Sequence, residues 1–212
     1  MINTFSADNF QSYCDQVARK DKHLRQVIGQ HGYPPMWTRP QSFSTLVLVI
    51  LEQQVSLAAA YSAFKKLKAR IGLITPQKIL AMSDEALREC YFSRQKIVYV
   101  RELANALLEK KIKLPQLAKL PDNEVRAQLT QIKGIGNWTV DVYLMQSLNR
   151  LDVFPLGDLA LVNSIKEIKE LPKHTPKDHL QELGERYSPY RTIASFIYWH
   201  AYIKKRNIKL EG

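Results

Sequence analysis

The stretch LTQIKGIGNWTV (residues 129–140) places two apolar helical patterns only a few residues apart. The first pattern runs into the G-I-G at 134–136, and the second begins at once with Trp138. So short a connection needs glycine, which adopts positive φ and lets another backbone approach without a Cβ clash. The sequence therefore predicts a tight hairpin between two helices at residues 133–137.

The helix after this hairpin would begin with unpaired backbone N–H groups at the positive end of its dipole. Such a helix end binds anions, and a DNA phosphate is a natural occupant. An ordinary turn with a glycine at a helix C-terminus explains the G-x-G pattern equally well when nothing else is considered. The hairpin alone therefore leaves both interpretations open.

The composition favours a folded protein with a polyanionic partner. The 212 residues are 45% hydrophobic, and 31 Lys and Arg against 20 Asp and Glu give a net charge of +11. Eight Gly and ten Pro are too few for a collagen-like or linker-like chain. No apolar run reaches the roughly 18 residues of a membrane span, so no membrane association is expected. The charge favours nucleic acid, although solvated Lys-rich helices produce the same excess.

Helical spacing of apolar residues dominates the chain, so the sequence predicts a nearly all-α protein. Three hydroxyl residues that precede proline, Thr75, Thr175 and Ser188, predict helix N-termini with the proline as the first helical residue. The predicted helices span residues 8–29, 42–52, 56–70, 76–81, 84–90, 94–110, 123–132, 138–148, 158–170, 176–186 and 189–205.

The two cysteines, Cys14 and Cys90, form no C-x-x-C pair, so they cannot build a zinc ribbon or a four-thiolate iron–sulfur site. A reducing compartment is therefore the expectation. The N-terminus has no charged segment followed by an apolar run, as a secretory signal would have. These features predict a cytoplasmic, nucleoid-associated protein, and we expect it to act as a monomer.

Three further segments connect the hairpin to a known family. They are LVLVILEQQVSLAAA (46–60), DVFPLGDLALVN (152–163) and YSPYRTIASFIYW (187–199). In this order, and with the hairpin between the first two, they resemble the helix-hairpin-helix base-excision DNA glycosylases over roughly residues 40–205. The subgroup most resembled is 3-methyladenine DNA glycosylase II.

The resemblance implies an all-α, two-lobed fold that forms a single glycosylase unit over residues 1–212. One lobe would comprise about residues 43–155, and the other about residues 1–42 together with 156–212. The β-rich N-terminal domain of larger relatives is expected to be absent.

The resemblance places the catalytic aspartate of the family on Asp158. Breaking an N-glycosidic bond leaves positive charge on the sugar, which a neighbouring carboxylate stabilises. Asp158 follows Gly157 at a predicted helix N-terminus, where the dipole and the N–H groups keep a carboxylate ionised. A plain N-cap is the alternative role for Asp158, and Asp141 and Asp152 are weaker candidates for the catalytic carboxylate.

Trp138 stands where the bifunctional members of the resembled family carry the lysine that forms a Schiff base. The resemblance therefore implies a monofunctional glycosylase, which leaves an abasic site after attack by water. It also assigns Trp138 and Trp199 to the pocket for the flipped base. Cation–π stacking of about 0.5–2 kcal/mol would favour charged alkylated purines of the 3-methyladenine and 7-methylguanine type. Core packing is the alternative for both tryptophans.

Gln53 and Gln54 interrupt an apolar helical stretch, and the resemblance assigns both to DNA contact. Gln54 aligns with the residue that enters the gap left by the flipped nucleotide, and a capped helix break at Ser56 is the alternative. The sequence leaves two equal alternatives for Arg191: a structural ion-pair partner, or a side chain that lines the cleft near Asp158.

The hairpin backbone would contact both phosphate and a cation. The amides expected to bind phosphate are those of Gly134, Gly136 and Thr139. The carbonyls that would hold a structural Na⁺ or K⁺ in the resembled family fall on Thr130, Ile132 and Ile135. No cofactor is expected to be required.

Together these inferences predict a monofunctional DNA glycosylase that excises alkylated purines flipped from duplex DNA during base excision repair. One alternative is the same fold excising a different damaged base. Another is a non-catalytic helix-hairpin-helix DNA-binding protein. A binding protein needs the hairpin but has no use for a carboxylate at Asp158 or for a pair of pocket tryptophans.

Overall fold

A computed structural model describes residues 2–209 of the chain. Within them the chain forms thirteen α-helices and no β-strand, apart from one isolated antiparallel bridge between Thr4 and Arg150. The predicted all-α class is confirmed. No helix in this described range is both long and apolar enough to cross a lipid bilayer.

The helices follow one another with short connections. Their bounds are α1 Ala7–Lys20, α2 Lys22–His31, α3 Phe43–Glu52, α4 Leu57–Ile71, α5 Pro76–Ala81, α6 Asp84–Glu89, α7 Arg94–Leu108, α8 Leu114–Leu117, α9 Asp122–Leu129, α10 Asn137–Gln146, α11 Leu159–Ile168, α12 Lys177–Glu185 and α13 Arg191–Lys205. The short α8 was not predicted from the sequence.

Side-chain caps set several helix starts, and one of the three predicted hydroxyl–proline starts is correct. The Thr75 hydroxyl accepts the N–H of Lys78, and the proline after it is the first residue of α5. Thr175 is not a cap, because its hydroxyl donates to the Pro172 carbonyl. Ser188 is not a cap either, because its hydroxyl donates to Asp152 and the helix begins later, at the start of α13.

The predicted helix over residues 8–29 is wrong, because Asp21 divides it into α1 and α2. Asp21 has extended backbone (φ −142°, ψ 111°), and its carboxylate accepts the N–H groups of His23 and Leu24 at 2.9 and 3.3 Å. An aspartate that caps its own chain in this way offers the backbone an alternative to continuing the helix.

The chain divides into two compact units. The first comprises residues 2–38 and 144–209, and the second comprises residues 39–143. The second boundary lies inside α10 rather than near residue 155. Met1 and residues 210–212, at the ends of the predicted second lobe, lie outside the described residues.

The first unit is organised around α13, which packs against α1, α2 and α11. Every residue of α13 from Thr192 to Ala201 is buried. Aromatic rings fill the space around it: the centroid of Phe196 lies 5.8 Å from that of Phe5 and 6.1 Å from that of Phe10. Helix α13 is therefore held on several sides, which fixes the side chains that it carries.

The second unit is organised around α3, whose LVLVIL segment is buried on all faces. Helix α3 packs against α4 and α7, and α7 packs in turn against α5 and α6. A helix that is apolar all round must be enclosed by its neighbours. The end of α3 is therefore a fixed point from which the following turn begins.

Asp21 also belongs to a buried polar network in the first unit. Its carboxylate accepts hydrogen bonds from the Lys169 ammonium and from the Tyr187 hydroxyl, and Tyr187 is hydrogen bonded to Tyr198 at 2.8 Å. Burial acts to raise the pKa of Asp21, but the hydrogen bonds from Lys169 and Tyr187 outweigh it and lower the pKa. The ionised carboxylate therefore stabilises the folded state.

We expect Asp21→Ala to lower the free energy of unfolding by about 3 kcal/mol at neutral pH, because it removes a helix cap and leaves the half-buried Lys169 without its counterion. Since the folded-state pKa is lowered, the difference from wild type should shrink as the pH falls below about 4. Urea unfolding at several pH values measures this. The exposed Asp8→Asn variant is the control, and an equal loss in both variants would contradict the role of Asp21.

Candidate active site

Asp158 caps the N-terminus of α11, as predicted. Its backbone is extended (φ −88°, ψ 115°), its own N–H donates to the Pro155 carbonyl at 2.8 Å, and its Oδ1 accepts the N–H of Leu161 at 2.8 Å. The positive end of the helix dipole thus faces the carboxylate, an arrangement in which the helix N-terminus attracts negative charge.

A second hydrogen bond goes beyond what a plain N-cap requires. The indole Nε1–H of Trp199, on α13, donates to the same Oδ1 of Asp158 at 3.0 Å. The Trp199 side chain is only 8% exposed, its ring stacks on Phe196 with centroids 5.7 Å apart, and its edge meets Trp37 at 6.3 Å. Trp199 therefore packs in the core and also orients Asp158.

Leu159 was not singled out from the sequence. It directly follows Asp158 as the first residue of α11, and it is 76% exposed, the largest exposed fraction among the large apolar residues of the described chain. The half-buried carboxylate therefore lies beside an apolar, accessible side chain.

The competing carboxylates are occupied by ion pairs. Asp141 pairs with Arg126 at 2.5 Å, and Asp152 receives a two-pronged hydrogen bond from Arg191 at 2.7 and 3.0 Å. Arg191 also pairs with Glu185 at 2.8 Å. These contacts decide the open question about Arg191 in favour of an ion-pair role.

The hairpin forms where the G-x-G pattern predicts it. The N–H of Ile135 donates to the Ile132 carbonyl at 3.0 Å, and Gly134 adopts a φ of +93°. A Cβ on Gly134 would lie 2.0 Å from the nearest ring carbon of Tyr99 on α7. Glycine is therefore required at 134 both for its dihedral angle and for the close approach of Tyr99.

Helix α10 begins directly after the hairpin, with the Gly136 carbonyl accepting the N–H of Val140 at 3.1 Å. Gly136 is exposed, and nothing in the described chain lies within 4 Å of the place that its Cβ would take. The backbone N–H groups at this helix start point away from the helix body. This end of α10 therefore presents an open backbone to an anion.

The predicted phosphate contact of Thr139 falls on a buried residue. Thr139 is 1% exposed, and its hydroxyl oxygen accepts a hydrogen bond from the Gln53 side-chain amide at 2.9 Å. The use of its backbone amide by a phosphate stays a prediction. Sequence position in the first turn of α10 could not reveal the hydrogen bond to the Thr139 hydroxyl, because its donor comes from the end of α3.

The predicted DNA contact of Gln53 stays a prediction, but its donor groups have partners inside the protein. The Nε2 of Gln53 donates to the Gly134 carbonyl at 2.8 Å as well as to Thr139. Both amide hydrogens are thus used inside the protein. Gln54 differs: it is exposed, with a φ of +56°, and the nearby Val55 and Leu57 are 46% and 39% exposed.

The turn that carries these glutamines is anchored on both sides. At the end of α3, the Lys96 ammonium donates to the Leu51 carbonyl at 2.6 Å, and burial lowers the pKa of Lys96. Arg39 binds both oxygens of the buried Glu52 at 2.8 and 2.6 Å. Ser56 then caps α4 by accepting the Ala59 N–H at 3.2 Å, so the helix-break alternative for Ser56 is realised together with an exposed Gln54.

The remaining predicted residues lie in the second unit. Trp138, near the start of α10, is half-buried, and its use as a base platform stays a prediction. The Ile132 carbonyl, one of the three predicted cation ligands, accepts the Ile135 N–H. Across residues 2–209, no cluster of three or more His, Cys, Asp or Glu side chains could hold a metal ion.

The part of the chain that contains the hairpin and Asp158 also matches a known protein family. Residues 47–189 match the HhH-GPD superfamily base excision DNA repair protein family. DNA-3-methyladenine glycosylase 1 of Schizosaccharomyces pombe is 32% identical over 182 residues, covering 84% of this chain and 80% of the relative. Alkylbase DNA glycosidase-like protein mag2 of the same organism is 31% identical, covering 85% of this chain and 92% of the relative.

A solved structure is similar over nearly the whole chain. The S. pombe 3-methyladenine DNA glycosylase Mag1 in complex with abasic DNA superposes with a TM-score of 0.83 at 29% identity. The superposition covers 95% of this chain and 100% of that chain.

The two hairpin glycines should respond differently to alanine. We expect Gly134→Ala to lower the free energy of unfolding by about 3 kcal/mol or more, because the new Cβ combines a positive φ with a clash against Tyr99. Gly136→Ala should cost about 1 kcal/mol or less, since its Cβ enters open space. Chemical denaturation of both variants tests this, and equal losses would show that Tyr99 does not impose the glycine.

Proposed function

We propose a function from the premise that this chain belongs to the HhH-GPD superfamily of base excision DNA repair proteins. It is a monofunctional DNA glycosylase that hydrolyses the N-glycosidic bond of alkylated purines, of the 3-methyladenine and 7-methylguanine type. The observation that carries this proposal is the Asp158 carboxylate, held at a helix N-terminus by the N–H groups of Leu161 and Trp199.

The chemistry needs one well-placed negative charge. As the base departs, the deoxyribose becomes positively charged, and a carboxylate beside C1′ stabilises that charge. Hydrogen bonds at 2.8 and 3.0 Å fix the orientation of Asp158 before the substrate arrives. Water then attacks the sugar, and an abasic site remains in the DNA. This step needs no amine, which agrees with tryptophan rather than lysine at position 138.

A base inside duplex DNA must leave the stack before its glycosidic bond can be reached. The open start of α10 at Gly136 supports binding of a backbone phosphate, and the net charge of +11 supports binding of the duplex in general. The exposed Gln54 suits the gap that the flipped nucleotide leaves. Each of these contacts is with the DNA backbone or with the gap in the base stack. They hold the DNA without distinguishing one damaged base from another.

The preference for alkylated purines rests on charge. Such bases carry positive charge and an already weakened glycosidic bond, so an aromatic face favours them by about 0.5–2 kcal/mol of cation–π energy. We assign this stacking to Trp138, which is half-buried, rather than to Trp199, which is 8% exposed and donates to Asp158. The relatives named DNA-3-methyladenine glycosylase 1 and alkylbase DNA glycosidase-like protein mag2 support the same substrate class.

We also propose that the hairpin holds an alkali cation through backbone carbonyls of Thr130, Ile132 and Ile135. These are neutral oxygen donors, which suit Na⁺ or K⁺ rather than a transition metal. The Ile132 carbonyl accepts one hydrogen bond, and a carbonyl oxygen has a second lone pair for a cation. When bound, the ion would supply positive charge close to a phosphate. The protein is expected to act as a monomer without a further cofactor.

We expect Asp158→Asn to slow single-turnover release of 7-methylguanine from a duplex oligonucleotide by about 10²–10³-fold. Asparagine is an equally good N-cap and keeps the oxygen that Leu161 and Trp199 bind, so the variant removes the charge and little else. Affinity for an abasic-site duplex should stay within about threefold of wild type. The exposed Asp178→Asn variant is the matched control. Excision by Asp158→Asn at a rate close to that of the control would contradict the assignment of Asp158 as the catalytic carboxylate.

The monofunctional mechanism makes a separate prediction. Incubation with methylated duplex and sodium borohydride should trap no covalent protein–DNA complex, because no amine attacks C1′. Trp138→Lys should not trap one either, since a single amine is not activated without its surroundings. Denaturing gel electrophoresis measures the adduct, with a lysine-dependent lyase as the positive control, and a trapped wild-type complex would overturn the water-attack mechanism.

A further inference from the structure

The Gln53 side chain connects the end of α3 to two residues that lie more than 80 positions later in the sequence. Its Nε2 donates to the Gly134 carbonyl at 2.8 Å, across 81 residues, and to the Thr139 hydroxyl at 2.9 Å, across 86 residues. One acceptor lies in the hairpin and the other in the first turn of α10. A single amide group therefore spans the junction at which the hairpin becomes a helix.

These hydrogen bonds fix the orientation of one peptide group. In a trans peptide the C=O and the N–H point in opposite directions. Between residues 134 and 135, the C=O of Gly134 is bound by Gln53, and the N–H of Ile135 is bound by the Ile132 carbonyl at 3.0 Å. The Tyr99 ring also packs directly against Gly134, 2.0 Å from the place that a Cβ would take. The peptide between residues 134 and 135 is therefore held by a hydrogen bond at each of its polar groups.

The other side of Gln53 leads to the exposed turn. Gln53 is the C-cap of α3, and its N–H donates to the Ile50 carbonyl at 3.3 Å. The next residue, Gln54, has a left-handed backbone with a φ of +56° and an exposed side chain. A left-handed conformation is costly for glutamine, and it persists only where neighbouring contacts hold it. The Gln53 side-chain bonds and the Arg39–Glu52 pair supply such contacts.

We infer that Gln53 is a positioning residue that holds the exposed Gln54 turn in fixed register with the phosphate-binding hairpin. It acts through these two elements and donates no hydrogen bond to DNA, since both of its amide hydrogens are bound within the protein. Grip on a phosphate and insertion beside the flipped nucleotide are thereby mechanically coupled. The inference rests on the proposed DNA-binding role of this surface.

The coupling is tested by binding rather than by catalysis. The quantity measured is the ratio of affinities for a duplex with a tetrahydrofuran abasic-site analogue and for the undamaged duplex of the same sequence. Phosphate contacts are common to both duplexes and cancel in the ratio, whereas insertion into a vacated position does not. The variants are Gln53→Leu, Gln54→Ala and the double variant, with the exposed Gln116→Leu of the same unit as a matched control.

We expect Gln53→Leu to reduce this ratio about tenfold, the effect of losing positioning hydrogen bonds, and Gln54→Ala to reduce it by a similar factor. In the double variant, the affinity ratio should lie within about twofold of the ratio in the more impaired single variant, because Gln53 acts through Gln54. Gln116→Leu should leave the ratio unchanged. An unchanged ratio in Gln53→Leu, or multiplied losses of about a hundredfold in the double variant, would overturn the inference.

A second pair of variants covers the case in which Gln53→Leu does not fold. Thr139→Val removes one acceptor of Gln53, and we expect it to reduce the ratio about threefold, whereas Thr139→Ser keeps the hydroxyl and should keep the wild-type ratio. Equal ratios in Thr139→Val and Thr139→Ser would contradict the inference. A wild type that binds both duplexes equally would also overturn it, while base release from methylated DNA judges the glycosylase proposal separately.

Discussion

A carboxylate that stabilises a cationic sugar must stay ionised and must be aimed, although it lies half-buried beside apolar side chains. In this chain two hydrogen bonds to Oδ1 set the direction of the Asp158 carboxylate, one from the backbone of α11 and one from the Trp199 indole. The second donor depends on the enclosed position of α13, because a mobile tryptophan could not hold a fixed direction. Aromatic packing around Phe196 therefore helps to hold the Trp199 donor in place as well as filling the core.

In the second unit, the fold keeps backbone amides accessible where no side chain supplies a ligand. Gly134 permits the tight turn under Tyr99, and Gly136 leaves the start of α10 uncovered. Hydrogen bonds and an ion pair hold the segments around the start of α10: Lys96 binds the end of α3, Arg39 binds Glu52, and Gln53 binds the hairpin. An exposed backbone site is useful only when its surroundings are rigid, since binding then costs little ordering.

Features encoded over a few residues could be predicted from the sequence. The G-x-G turn, the cap at Thr75 and the N-cap position of Asp158 all depend on neighbours within about five residues, and the structure has each of them. The burial of Thr139, the internal use of Gln53 and the ion pair of Arg191 depend on partners far away in the chain. Local sequence carries no record of such partners. The break at Asp21 lies between these cases, because its local cap was visible but competed with an unbroken helical pattern.

As a monofunctional glycosylase, this protein cuts the bond between an alkylated purine and deoxyribose and leaves the strand intact. Chromatography of the small molecules released from methylated duplex DNA tests it most directly, with the DNA backbone examined in parallel. We predict free 3-methyladenine and 7-methylguanine together with unbroken strands that are cleaved only by later alkaline treatment. Absence of any free base, with the protein folded and bound to the DNA, would contradict the account.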